Sequence, residues 1–380
     1  MIIAHLADLH LGKTVNGYSM IEDQKYILNE IMEILHQEKV NAVVIAGDVY
    51  DRTVPGVDAM VLLEQFLSGL QKAGYEVFMI AGNHDSGERL AYGASFLNHM
   101  HIHIVGNYTG KIPYHDMKDE YGVVRFHLLP FIHPADVNRC LDEKKVRTYE
   151  EALEKALSTV SMGEDRNVIL SHQFVNGSQV DENGSEEISV GGIDQVDGHL
   201  YDGFDYVALG HIHRPQTLLR ETMRYAGTPL KYSFSEADQT KSVPIVTLKE
   251  KGNVSVHTVP LKPLHEMREI HGYFDGIVKE RPADDTKNDY MHITLNDEED
   301  VTDAVQTLRN IYPHIMKLDY DNIRTRSMND TSPVEKIEQQ DPVKVFEQFY
   351  EMRNGKKMSD EQKRITVELM DEIMRGKEDS

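Results

Sequence analysis

Apolar and polar positions along the first third of the chain fall into blocks with two alternating periods. Short apolar runs rich in β-branched residues, at residues 1–8, 43–46 and 76–81, are too short for helices and predict buried strands. Between them, residues 20–38 place Ile21, Ile27, Leu28, Ile31, Ile34 and Leu35 at helical spacing, and residues 57–73 do the same with Val61, Leu62, Phe66, Leu67 and Leu70. This βαβαβ rhythm implies right-handed crossovers and a parallel sheet with its loops gathered at one edge. The polar residues that end the strands lie at that edge: Asp8, Asp48 after Gly47, and Gly82-Asn83-His84-Asp85. The carboxyl edge of an open α/β sheet is where such folds place their chemistry.

From about Ile102 the strands shorten, with 123–129 the clearest and a helix expected over 149–160. Two further strands, 167–171 and 205–209, end at His172 and at Gly210-His211-Ile212-His213. Between them 177–192 is rich in Gly, Ser and acid and reads as a mobile loop. Segments 224–229, 243–248 and 254–259 predict short antiparallel strands closing a second sheet. Pro260 and Pro263 mark a boundary, followed by strand, helix and strand over 290–295, 301–311 and 316–320, enough for a small α/β domain. After a linker at 329–333, Asp341-Pro342 opens a helix carrying Val345, Phe346, Phe349, Tyr350 and Met352. Asn354-Gly355 ends it, and Ser359-Asp360-Glu361 caps a second helix with Ile365, Val367, Leu369, Met370, Ile373 and Met374, so the tail predicts a helical hairpin. The expected division is 1–262, 263–330 and 334–380.

Composition narrows the class. No apolar stretch approaches the ~18 residues of a membrane span, and residues 1–8 lack a basic leader, so a cytoplasmic location is expected. The single Cys140 excludes an internal disulfide framework. The formal charge of −23 counts against a protein that grips nucleic acid by its overall field. Bound divalent cations, local basic loops or a partner that carries the DNA grip would offset it.

The strand-end residues point to metal chemistry. Asp8 and His10, like His211 and His213, lie two apart, so in an extended segment both side chains reach the same side. With Asp48 between two ions and Asn83 and His172 added, the donors are oxygen and imidazole without sulfur. That set suits Mn²⁺, Fe²⁺ or Zn²⁺ better than Ca²⁺ or a structural Zn²⁺. A bridging carboxylate holds two ions ~3.5–4 Å apart, where they ionise a water and clamp an in-line phosphoryl displacement. Phosphoester hydrolysis is the expected reaction. His84, next to the ligand Asn83, diverges from the ions and is expected to stabilise developing charge or protonate the leaving oxygen. Asp85 is expected to orient its ring, and Asp51 to stand behind the ligands. His36, His99, His101, His103, His127 and His133 are read as structural.

Asp-x-His, Gly-Asp-x-x-Asp, Gly-Asn-His-Asp, a lone strand-end His and Gly-His-x-His, in that order, resemble the calcineurin-like metallophosphoesterases. The segments 82–90, 171–175, 205–216 and 233–237 are further similar to the SbcD family of nuclease subunits. The resemblance implies a four-layer α/β/β/α sandwich with a small α/β capping domain and a C-terminal helical hairpin. It implies two ions, Mn²⁺ by family preference: one held by Asp8, His10, Asp48 and His213, the other by Asp48, Asn83, His172 and His211. It also implies a DNA exonuclease on duplex ends and endonuclease on single strands and hairpins, working in DNA end processing, repair and recombination. The implied partners are DNA, a second copy of the chain and an SbcC-like SMC-type ATPase with long coiled coils. Lys13, Arg89 and Arg214 are expected DNA contacts. The acidic run at 181–187 departs from that pattern. A phosphatase or cyclic-nucleotide phosphodiesterase acting on a small substrate is the rival enzyme, and a scaffold with a vestigial site the third reading. The second domain and the apolar tail favour the nuclease, and a chemically competent residue at every ligand position disfavours the scaffold. The homodimer is expected on the helices after Asp48 and after Gly82-Asn83-His84-Asp85, and the tail is expected to dock on the ATPase.

Overall fold

The computed structural model describes residues 1–141, 145–180, 194–280 and 286–322, with Thr325, 346–347, Tyr350, 357–359, 361–366 and Leu369 of the tail. The run at 181–187 and most of the expected hairpin lie outside these residues; within the tail, 346–347, Tyr350, 361–366 and Leu369 are helical. The chain forms two compact units, Met1–Asn296 with Val301–Asp319 and Asp297–Asp300 with Tyr320–Ser380.

The first unit is built on two six-stranded sheets. One runs Val254–Pro260, Ser242–Leu248, Ile2–Leu6, Ala42–Ala46, Glu76–Ile80, Ile102–Val105 from edge to edge. The other runs Gln216–Leu218, Arg220–Tyr225, Tyr206–Leu209, Arg166–Ser171, Gly122–Leu129, Tyr114–Asp119. The two-residue period of a strand sorts its side chains onto opposite faces. In Ala42–Ala46, Val43 and Ile45 join the core beneath the helices Ile21–Gln37 and Val57–Ala73, while Ala42 and Val44 face the other sheet. Glu76–Ile80 repeats the pattern, with Val77 and Met79 on the helix side and Phe78 and Ile80 between the sheets. Phe78 stacks on Phe126 of the second sheet, ring centroids 4.2 Å apart. Ile169, Val207 and Leu209 pack on the far side with Ala152, Leu153 and Ala156 of the helix Tyr149–Leu157. Helix, sheet, sheet, helix is the expected four-layer sandwich.

Two strands join a different sheet from the expected one. Ser242–Leu248 and Val254–Pro260 extend the first sheet, because Ser242–Leu248 pairs antiparallel with Ile2–Leu6 (Ile3 opposite Val246). The chain's first strand thus gains its second neighbour from more than two hundred residues downstream. The helix expected at 301–311 is shortened to Ala304–Arg309, with Asp303 in the left-handed region at φ +55°. The sequence pattern also missed Met267–Gly272, which pairs parallel with Tyr290–Leu295 in a three-stranded sheet completed by Ile315–Tyr320. As an edge strand with only Met267 buried, it carries no apolar run.

A candidate metal centre between the sheets

Five loops at the carboxyl ends of strands converge on one buried site, and several of them leave their strands by an unfavourable backbone turn. Asp8, His10, Asp48 and His211 all have positive φ, at +51°, +44°, +50° and +104°. Such conformations cost ~1–3 kcal/mol each and persist where the surroundings over-determine them, commonly at functional sites. Gly47, at φ +90°, has no room for a side chain, since a Cβ there would enter the His172 ring. The Asp48 turn and His172 are therefore packed in direct contact.

The residues expected as ligands are brought together in two overlapping groups. His10 Nε2 lies 3.0 Å from His213 Nε2, and Asp8, His10 and His213 offer ligand atoms all within 4.8 Å of one another. Asn83 Oδ1 lies 3.0 Å from His172 Nε2 and 3.0 Å from His211 Nδ1. Asp48 Oδ2 stands between the groups, 3.7 Å from His10 Nε2 and 3.4 Å from His172 Nε2. His172 donates its Nδ1–H to the Ala46 carbonyl at 2.7 Å, which turns Nε2 to the site, as is usual for metal-binding histidines. Asp8 Oδ1 accepts the His211 amide at 2.9 Å, while its buried Oδ2 has no hydrogen-bond partner. An orphaned buried acceptor costs ~1–3 kcal/mol, and two imidazole nitrogens 3.0 Å apart share at most one proton. A carboxylate oxygen without a donor and paired nitrogens with too few protons are what divalent cations satisfy, so the residues fit two such ions.

Charge is unevenly held at the site. Burial pushes the Asp8 carboxyl up to about 7, with the facing His172 and His213 pulling the other way. Burial also opposes charge on Asp48 and His172, but their mutual attraction prevails: Asp48 falls well below the usual carboxylate range and His172 rises to about 9. His211 is pushed down to about 3 by burial and by His172. To hold a cation beside Asp48, His172 Nε2 would have to give up its proton.

His84 lies at the rim. Its amide donates to Asp48 Oδ1 at 2.9 Å, its Nδ1–H donates to the Asp51 carbonyl at 3.0 Å, and its Nε2 is 3.9 Å from Asp48 Oδ2. Asp85 does not orient that ring. Its carboxylate instead accepts the amides of Val49, Tyr50 and Gly82, at 3.1, 2.9 and 2.9 Å, and so ties the Asp48 and Asn83 loops together. Asp51 lies beside the group, with Oδ1 3.8 Å from His10 Nδ1 and 2.8 Å from Lys13 Nζ. Lys13 is thus committed to Asp51, and Arg89 donates to the Thr53 carbonyl at 3.0 Å; both bonds are internal to the protein. Arg214 is half-buried on a cleft that it shares with Lys231, Phe234 and Arg268. The histidines read as structural stand elsewhere: His101 and His103 on Glu76, His127 on Asn167, and His133 capping Pro134–Arg139.

Sequence reasoning missed the support behind His213. The buried Glu236 carboxylate lies 3.6 Å from His213 Nδ1 and is paired with Lys241 Nζ at 2.7 Å. Lys241 also donates to the His213 carbonyl at 2.9 Å. Glu236 sits in the 233–237 segment that carried the family resemblance, which was the available signal.

Comparison with known proteins gives the family. A model for the type 5 capsule protein repressor C-terminal domain, named for the SbcD C-terminus, matches residues 263–354. Among solved structures, a dimetal phosphatase from Danio rerio superposes with a TM-score of 0.41 at 15% identity, covering 69% of this chain and 98% of that one. The calcineurin-like phosphoesterase model matches residues 1–215, more than half the chain and all of the convergent loops, and the chain belongs to that family of metal-dependent hydrolases.

Proposed function

We propose that this chain is the nuclease subunit of an SbcD-type complex, a dimetal phosphodiesterase that cuts DNA at duplex ends, hairpins and single strands. The observation that carries the reading is the match of residues 263–354 to the SbcD-named C-terminal model, directly after a phosphoesterase domain with every ligand position filled. Asp8, His10, Asp48 and His213 would hold one ion, and Asp48, Asn83, His172 and His211 the other, with Mn²⁺ the family preference. Bound there, the ions supply an ionised water at neutral pH and charge compensation for the phosphate. The chain's own part is to place and protonate. Asp48 faces both ligand groups, and His84, clamped through its Nδ1–H and its backbone amide, presents Nε2 to a phosphate oxygen or leaving group. Purified protein with Mn²⁺ should cleave hairpin and single-stranded DNA in preference to a chromogenic phosphodiester. Turnover of the small ester with intact DNA would assign the site to a small-molecule phosphodiesterase instead.

The same reading makes residues 334–380 the docking element for the ATPase and the Val57–Ala73 and Gly87–Leu90 region the homodimer contact. Val57, Met60, Val61, Tyr92 and Phe96 are exposed there, and Arg89 bonds the Thr53 carbonyl in the loop that leads into Val57–Ala73. An exposed apolar patch of this kind marks an interface. Deleting 334–380 should abolish co-purification with an SbcC-like ATPase while leaving the dimer, seen by light scattering at micromolar concentration, and Mn²⁺-dependent cleavage of single-stranded DNA. Retained ATPase binding, or a monomeric parent chain, would count against the assignment.

A further inference from the structure

The apolar stripe of the helix Ile21–Gln37 is interrupted by Gln24, which is buried at 1% exposure among Ile27, Leu28 and Ile31. A buried amide at a core position needs its hydrogen bonds satisfied, and Gln24 finds all of them around the Asp8–His10 loop. Nε2 donates to the His10 carbonyl at 2.8 Å and to the Tyr232 hydroxyl at 3.0 Å, and Oε1 accepts the Gly12 amide at 2.9 Å. Tyr232, also buried, donates its hydroxyl to the Leu9 carbonyl at 2.7 Å. Two side chains thereby hold the backbone groups of Leu9, His10 and Gly12, in addition to the bonds of the His10 and Leu11 amides to the Asp48 and Val49 carbonyls. The helical turn that carries Gln24 is itself fastened. The Asp23 carboxylate accepts the Tyr290 hydroxyl at 2.7 Å and a hydrogen bond from His265 Nδ1 at 2.9 Å. This scaffold surrounds the segment in which Asp8 and His10 are both held in the left-handed region, a conformation that relaxes where its supports are removed.

We propose that Gln24 and Tyr232 are positioning residues: they hold the Asp8–His10 loop in its ligand geometry and so set the affinity of the ion served by Asp8, His10 and His213. Of the other ion's private ligands, His172 is fixed by the Ala46 carbonyl and Asn83 stands on the loop that Asp85 ties down, while His211 meets the Asp8 loop through its backbone amide, so that ion leans less on this scaffold. The inference rests on the dimetal reading of the site.

Mn²⁺ titration of the metal-stripped full chain by calorimetry tests it, with circular dichroism as the check on folding. The parent should take up two ions per chain. Tyr232→Phe, which removes only the hydroxyl, and Gln24→Met, which removes both the donor and the acceptor of the amide, should weaken one ion by about 10–100-fold, the range for groups that orient a ligand. The second ion, tied to the loop only through the His211 amide, should lose clearly less. Because the two residues share a bond and a loop, the double variant should lose less than the product of the single losses. Turnover of the variants should recover at high Mn²⁺ with KM for DNA unchanged, a result that general loosening of the fold would not give. Parental affinities at both positions in folded Tyr232→Phe, or an equal fall at both, would overturn the proposal. If Gln24→Met does not fold, Tyr232→Phe decides alone. A parent that binds fewer than two ions overturns the dimetal reading and this inference with it.

Discussion

Asp48→Asn should empty both ion positions together while the chain keeps its fold. Asp48 reaches both groups, with Oδ2 3.7 Å from His10 Nε2 and 3.4 Å from His172 Nε2. The substitution is close to isosteric, and asparagine tolerates the left-handed backbone that Asp48 adopts at φ +50°. Its side-chain oxygen can still accept the His84 amide, so the loop keeps that anchor. What disappears is the charge. Groups that merely orient a ligand are worth 10–100-fold in metal affinity, so the loss of an anionic ligand common to both sites should exceed ~10²-fold at each. Metal content after gel filtration, measured beside a thermal melt of the stripped protein, checks the expectation. A variant that keeps one ion at parental affinity would show that Asp48 serves only the other.

The ligand loops were legible in the sequence because each follows a short apolar run, and the run's end fixes which residue meets the sheet edge. Asp8, Asp48, Asn83, His172, His211 and His213 are all placed by that local rule, and the structure brings them into one site. The strands themselves were legible for the same reason, since strands buried on both faces read as continuous apolar segments, whereas the four layers were implied by the family resemblance. What local pattern does not encode is the partner of a polar side chain. Asp85 lies next to His84 in sequence but turns to three backbone amides, two of them on the Asp48 loop. Glu236 reaches His213 from a segment whose only sequence signal was family likeness. Gln24 stood in plain view as a polar residue in an apolar stripe, yet its bonds run to a loop that only the tertiary fold brings near. The edge strand Met267–Gly272 and the pairing of Ile2–Leu6 with Ser242–Leu248 were hidden likewise, one by its polarity and the other by its distance along the chain.

His84→Gln should give the opposite result to Asp48→Asn: two ions retained and most of the turnover lost. The ring is close enough to be taken for a ligand, since His84, His10 and Asp48 present atoms within 4.8 Å of one another. Its surroundings argue for a different task. Nδ1–H is spent on the Asp51 carbonyl, the ring stands edge-on to His10 with centroids 4.8 Å apart, and its side chain keeps 13% exposure where the proposed ligands His10 and His172 have none. An imidazole fixed in that way, with Nε2 turned to a partly open rim, is suited to donate to a phosphate oxygen or to protonate a leaving group. Removing one positioned acid or charge stabiliser typically costs ~10²–10⁴ in rate. Glutamine keeps a neutral hydrogen-bond donor of similar reach and abolishes the proton that can be given up, so His84→Gln should fall near the large end of that range if proton transfer dominates. His84→Ala would then lose little more. Metal stoichiometry and turnover must be measured on the same preparations: if ion content falls in step with activity, His84 is a ligand, and the role assigned to it here is wrong.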